Sequence, residues 1–166
     1  FRNGKKAVYF NGTTSFMEGN DIGLGTKSFT MFIVFQPTLR ATIDYFFRFG
    51  NYGIGRHMTI NAYNSWRYMQ HNPTIAGTYT AISKVPQQFQ ILTFVKNFGT
   101  NVRMYWNKEL TFTRTDAGVI DAFDDGGVTF IGGVYSTNLS RFYLSEMIIH
   151  DSVLSNADRN LILDYL

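Results

Sequence analysis

Between residues 52 and 71 the sequence gathers rings and fixed polar groups at short spacing: Tyr52, Arg56, His57, Asn61, Tyr63, Trp66, Arg67, Tyr68 and His71. That mixture suits one kind of chemistry. A flat aromatic face packs against the C–H patches of a sugar ring, and amide, imidazole and guanidinium groups satisfy its hydroxyls. Residues 57–63 alternate along a strand. Met58, Ile60 and Ala62 fall on one face, and His57, Thr59, Asn61 and Tyr63 on the other. An outward polar face would make this an aromatic-polar surface. If Tyr63, Trp66 and Tyr68 turn inward, the same rings fill a core. The sequence leaves both readings open.

A second group is acidic. Asp116, Asp121, Asp124 and Asp125 lie in a glycine-bearing stretch, 116–127. Hard oxygen ligands on such a loop suit Ca²⁺, the cofactor it would take. The spacing is not that of an EF-hand, because no Glu stands at the twelfth position. A solvated turn is the competing reading.

Catalysis has no comparable group. Glycoside hydrolysis needs two carboxylates projecting together. Asp44 stands alone before Tyr45, Glu146 is the one acid of its strand, and Glu18 and Asp21 are three apart, the wrong spacing for one strand face. His57, His71 and His150 lack the H-E-x-x-H spacing, and no G-x-S-x-G elbow occurs. The chain has no cysteine, which excludes disulfides, thiolate zinc sites and cysteine nucleophiles. The sequence therefore reads as that of a protein that is not an enzyme.

The elements that must position these residues follow from composition. A length of 166 residues fits one domain spanning 1–166. Charged residues are 16%, against a norm of about 25%. Sixteen Phe, ten Tyr and 15 Gly are what strands and tight turns use, and they exclude disorder. No apolar run approaches the roughly 20 residues of a membrane helix, so no membrane partner is expected. Residues 1–83 carry eight basic and three acidic side chains, net +5; residues 84–166 carry seven and nine, net −2. Arg40, Arg48, Arg56 and Arg67 are dispersed and only Lys5 and Lys6 adjoin, so no nucleic-acid partner is expected either. The chain starts at Phe1 without a leader, as expected of a mature product or a piece of a longer chain.

Strands are predicted at Ala7–Phe10, with Asn11-Gly12 as a hairpin turn returning through Ser15–Glu18. Phe29–Gln36 is apolar on both faces, which predicts a central strand covered on both sides. Further strands are predicted at 45–49, 57–63, 66–71, 89–96, 102–106, 110–112, 128–131 and 142–149. Ser155 and Asp158 form a capping-box pattern for one terminal helix, with Leu161, Ile162 and Tyr165 as its apolar stripe. The sum is an all-β sandwich.

The order of these segments resembles the laminin-G-like domains of the concanavalin A-like superfamily. Residues 7–16 (AVYFNGTTSF) are similar to the opening of those domains, and 28–37 (SFTMFIVFQP) to their next strand. Gln90–Leu110 looks like their hairpin, and Ile131-Gly132-Gly133 like their IGG element. Residues 142–151, then Leu154-Ser155 and the helix, resemble their closing strand and helix. Asn107-Lys108 replaces the usual Asn-Gly turn, Leu144 stands where Gly often lies, and 40–80 has no clear match. The resemblance implies a jelly-roll sandwich of two antiparallel sheets with a short C-terminal helix.

A fold of this kind serves lectins, adhesion modules, glycosidases and spacers, so it does not set the function. The expectation is a non-catalytic module that binds carbohydrate or a cell-surface polymer. It would be displayed on an exported protein or on a viral fibre or spike, outside the cell or on the virion surface. The first alternative is a structural virion or assembly domain, whose partner is another copy or a larger fibre. The second is a glycan-degrading enzyme with displaced carboxylates.

Overall fold

A strand that is apolar at both parities needs a covering layer on each side. Phe29–Pro37 is such a strand: Phe29, Met31, Phe32, Ile33 and Phe35 are all fully buried. The rest of the chain is arranged around that requirement. The computed structural model describes residues 4, 6–20, 22–24, 27–38, 44–51, 56–62, 66–72, 75–82, 88–115, 129–134 and 138–166. For 44–45, 50–51, 56–62, 66–72, 75–82, 134 and 138 it describes the backbone alone.

The strands among the described residues are β1 (Val8–Asn11), β2 (Met17–Gly19), β3 (Phe29–Pro37), β4 (Asp44–Asn51), β5 (Arg56–Ala62), β6 (Trp66–Asn72) and β7 (Ile75–Ile82). They continue with β8 (Gln90–Asn97), β9 (Asn101–Trp106), β10 (Glu109–Arg114), β11 (Thr129–Ile131), β12 (Gly133–Val134), β13 (Asn138–Leu139) and β14 (Arg141–His150). The helix α1 spans Asn156–Tyr165. One sheet runs β1-β14-β3-β8-β9-β10 and the other β2-β11-β4-β5-β6-β7, with β12 and β13 paired beside them. Every pairing is antiparallel. The protein is a jelly-roll sandwich of two antiparallel sheets.

Between the sheets lie Phe29, Met31, Ile33 and Phe35 of β3, Phe46, Phe47 and Phe49 of β4, Leu92 and Phe94 of β8, Met104 and Trp106 of β9, and Phe142 of β14. Phe35 meets Phe46, Phe47, Trp106 and Phe142 edge-on, the geometry the ring quadrupole favours. Each fully buried Phe contributes about 1.5–3 kcal/mol of transfer free energy. Much of the aromatic content is used here.

The other face of the first sheet is covered by α1. Phe32, Val34 and Ile91 pack with Leu163 and Leu166. Ser155 caps the helix as the sequence predicts: its Oγ accepts from the Asp158 amide at 3.1 Å and donates to Asp158 Oδ2 at 2.6 Å. The predicted apolar stripe needs correction. Leu161 is 70% and Tyr165 59% exposed. Arg159, Leu163 and Leu166 are the buried ones, with Ile162 half-buried. Arg159 is inward because its guanidinium lies 3.8 Å from the Tyr105 ring centroid, a contact a sequence periodicity that counts Arg as polar passes over.

The Asn11-Gly12 hairpin is also corrected. β1 pairs with β14 and β2 with β11, so the turn crosses from one sheet to the other. Asn11 Oδ1 accepts from the amides of Thr13, Thr14 and Ser15 at 2.9, 2.9 and 3.0 Å, and Gly12 takes φ +69°. The side chain itself builds the corner, which frees the two strands to separate. The strand β7 has no counterpart among the predicted ones; Gly77 and the short polar residues between its apolar ones blur the strand pattern.

Candidate functional site

β4 to β7 position the aromatic-polar segment. β5 pairs with β6 through His57–His71, Met58–Gln70, Thr59–Met69, Ile60–Tyr68, Asn61–Arg67 and Ala62–Trp66. Directly opposed residues share a face of the sheet, so each row can be followed across it. One row runs Met17–Ile131–Phe47–Ile60–Tyr68–Tyr79, and Phe47 within it is in the core. The adjoining row runs Glu18–Phe130–Arg48–Thr59–Met69–Thr78. Arg48 starts the opposite parity: it is buried, and its guanidinium carbon lies 4.1 Å from the Phe130 ring centroid. Phe16 stacks on Phe130 in turn.

The predicted residues divide between these parities. His57 and His71 form one cross-strand pair and Asn61 and Arg67 another, both in rows of Arg48 parity. Trp66 and Tyr68 occupy rows of Phe47 parity. Arg56 opens β5 opposite Asn51. Tyr52 and Tyr63 lie outside the described residues, as does the whole stretch with Asp116, Asp121, Asp124 and Asp125. Among the described residues no group of three or more His, Asp or Glu side chains could hold a metal ion. No described helix is long and apolar enough to cross a membrane.

Neither the protein-family models nor the curated protein sequences contain a match to this chain. Solved structures match it by fold. The CBM40 carbohydrate-binding module of the Ruminococcus gnavus IT-sialidase, bound to α2,3-sialyllactose, aligns with a TM-score of 0.74 at 18% identity, over 96% of this chain and 97% of that one. The receptor binding domain of botulinum neurotoxin D aligns with a TM-score of 0.73 at 10% identity, over 98% of this chain and 45% of that one. The chain has the fold of these binding domains. The CBM40 match runs end to end on both sides.

A second cluster is absent from the residues the sequence singles out. On the outer face of the β1-β14-β3 side, Tyr9 and Tyr143 are directly opposed, with ring centroids 4.7 Å apart and planes 30° apart. Gln36 is the next residue in that row. Glu146 lies one row along on the same face, and the Tyr165 hydroxyl donates to its Oε1 at 3.3 Å. The signal is present in the alternation of Val8-Tyr9-Phe10, where Phe10 goes to the core and Tyr9 must go out. From the sequence alone these residues mark strands and nothing more.

Proposed function

We propose that this chain is a non-catalytic carbohydrate-binding module, displayed outside the cell on a longer protein or a fibre. The observation that carries the reading is the alignment with CBM40 over nearly the full length of both chains. That structure is of a carbohydrate-binding module matched over 97% of its length, which supports the non-catalytic reading. Kinship with the laminin-G-like domains is part of the proposal and rests on the order of their motifs along the chain. A single domain over 1–166 is part of it too.

The ligand surface we assign to β5 and β6. His57, Asn61, Arg67 and His71 supply donors and acceptors from rows that alternate with the core rows. Tyr52 and Tyr63 complete the proposed surface; Arg56, Trp66 and Tyr68, on rows of Phe47 parity, are the part of the aromatic-polar segment that the pairing assigns to the alternate face. The imidazole pair and Arg67 favour an anionic sugar such as the sialic acid of sialyllactose, because a guanidinium binds a carboxylate through two parallel hydrogen bonds. Titration of the protein with α2,3-sialyllactose tests this, read by calorimetry. Arg67→Ala is expected to weaken binding by about 10-fold or more, the equivalent of roughly 1.4 kcal/mol. Undiminished binding by Arg67→Ala, or silence of the wild type on a broad glycan array, would count against the assignment.

Asp116, Asp121, Asp124 and Asp125 are proposed as calcium ligands. A bound ion at about 100-fold its dissociation constant stabilises the fold by roughly 2.7 kcal/mol. The melting temperature in calcium against EDTA reads this directly, and equal values would remove the ion from the account.

A further inference from the structure

We propose that the part of the outer face of the β1-β14-β3-β8-β9-β10 sheet that α1 leaves open, around Tyr9 and Tyr143, is a second ligand site, built for a neutral sugar ring. Over the middle of this face Phe32, Val34 and Ile91 lie under Leu163 and Leu166, and Tyr105 under Arg159, while Leu110 opposite Tyr105 stays exposed at the far edge. The helix ends at Tyr165. Beyond that end the Tyr9–Tyr143 pair is left open, at 44% and 37% exposure. At 4.7 Å and 30° the two rings lean on one another as a tilted pair, which leaves the outer face and the tip of each ring open to a ligand. Tyr165 stands beside the pair, 59% exposed, with its hydroxyl on Glu146.

The polar rim decides what the pair would take. Arg141 is exposed on the same face, one row beyond Tyr143, and its Nε donates to the Asn11 carbonyl at 3.4 Å. Glu146 and Gln36 stand half-buried on the other sides. One cation and one carboxylate flank the rings, so the rim is matched by a ligand without net charge that both donates and accepts. A pyranose does both at every hydroxyl, and its C–H face covers an aromatic ring. A sugar acid placed against Glu146 would meet like charge, the opposite preference to the one proposed for Arg67. A second protein copy is a poor fit. Six side chains fall well short of the roughly 20–30 residues a side that a stable interface uses.

This site stands on different residues from the β5–β6 assignment, so each can fail alone. The test is a two-dimensional NMR titration of the full chain carrying ¹³C-labelled tyrosine. The probes are lactose and maltotetraose as neutral sugars, with α2,3-sialyllactose as the charged comparison. Neutral sugar is expected to move the Tyr9 and Tyr143 ring signals, saturating at about 1–10 mM, the weak range of a shallow shelf. Tyr143→Ala is expected to weaken this by about tenfold, while Tyr143→Phe keeps the ring and stays within about twofold. The single variant Tyr9→Ala guards against a folding artefact, because Tyr9 is at a sheet edge. Ring signals that stay still with both neutral sugars would overturn the proposal, as would movement that survives Tyr143→Ala. If sialyllactose moves only the Tyr63 signal and neutral sugars move none, the β5–β6 assignment stands and this one falls. If neutral sugars move Tyr9 and Tyr143 while sialyllactose leaves Tyr63 still, this site stands and the β5–β6 assignment falls.

Discussion

At the scale of single residues, two positions hold more of the fold than their size suggests. Gly132 takes φ +97°, and a Cβ there would meet the Phe10 ring at 2.5 Å and the Ser15 carbonyl oxygen at 3.1 Å. Its amide donates to the Phe46 carbonyl and its own carbonyl accepts from Ser140. Gly132→Ala therefore meets both backbone strain and overpacking, and is expected to cost about 2–4 kcal/mol in urea unfolding. Asn11 accepts three backbone amides with one oxygen. Asn11→Ala leaves these donors to solvent and is expected to cost about 1–3 kcal/mol; Asn11→Asp keeps the acceptor and is expected to lose less. A midpoint for Asn11→Ala unchanged from wild type would mean the corner is held by its backbone alone. The Asn-Gly pair was legible as a turn. Which strands it joins was not, because that depends on β14 and β11, more than a hundred residues away. Asn107 makes the same point in reverse. It holds φ +57° in the Asn107-Lys108 turn that replaces the usual Asn-Gly of the resemblance, and its Oδ1 accepts from the Ile91 amide while its Nδ2 donates to Gln90 Oε1.

At the scale of elements, α1 tests how well periodicity reports a buried face. Leu163→Ala should cost about 2–5 kcal/mol, because Leu163 packs against the outer side of β3. Leu161→Ala should stay within about 0.5 kcal/mol of wild type, since Leu161 is solvent-exposed. Ser155→Ala should cost about 1 kcal/mol by uncapping the first turn. Paired denaturation curves for the two leucines decide the matter, and equal losses would restore the stripe read from sequence. The cap was legible because it is local chemistry between residues three apart. The buried face was not, because Tyr105 on β9 selects Arg159 for it. Strand boundaries around the candidate site were legible for β5 and β6 on similar local grounds. Their parity relative to the core was not. β4 carries a bulge between Tyr45 and Phe47, so Phe46 and Phe47 both enter the core, and counting alternation forward from Tyr45 gives the wrong face.

At the scale of the whole molecule, the pairing pattern ties the start of the chain to its end. β1 is held by β14, and β2 by β11, so each sheet needs strands from both halves of the chain. Neither sheet is a contiguous stretch of sequence that could form ahead of the other. The shared core reinforces this, since Phe35 of one sheet contacts Phe46 and Phe47 of the other. The physical consequence is cooperativity: an opening of one sheet exposes the inner face of its partner, and the intermediate gains no compensating burial. The two tryptophans report on it separately. Trp106 lies on β9 of one sheet and Trp66 on β6 of the other. Trp66→Phe leaves fluorescence from the first sheet, and Trp106→Phe leaves fluorescence from the second. Within each variant, tryptophan emission and far-ultraviolet circular dichroism should fall on one urea transition, with a slope of about 1–3 kcal/mol per molar. A lower common midpoint in Trp106→Phe is compatible with this, because Trp106 is a core residue. Emission that departs from the circular dichroism curve in either variant would instead mean that the sheets unfold one after the other. In that case ligand at β5 and β6 would stabilise only the sheet that carries them.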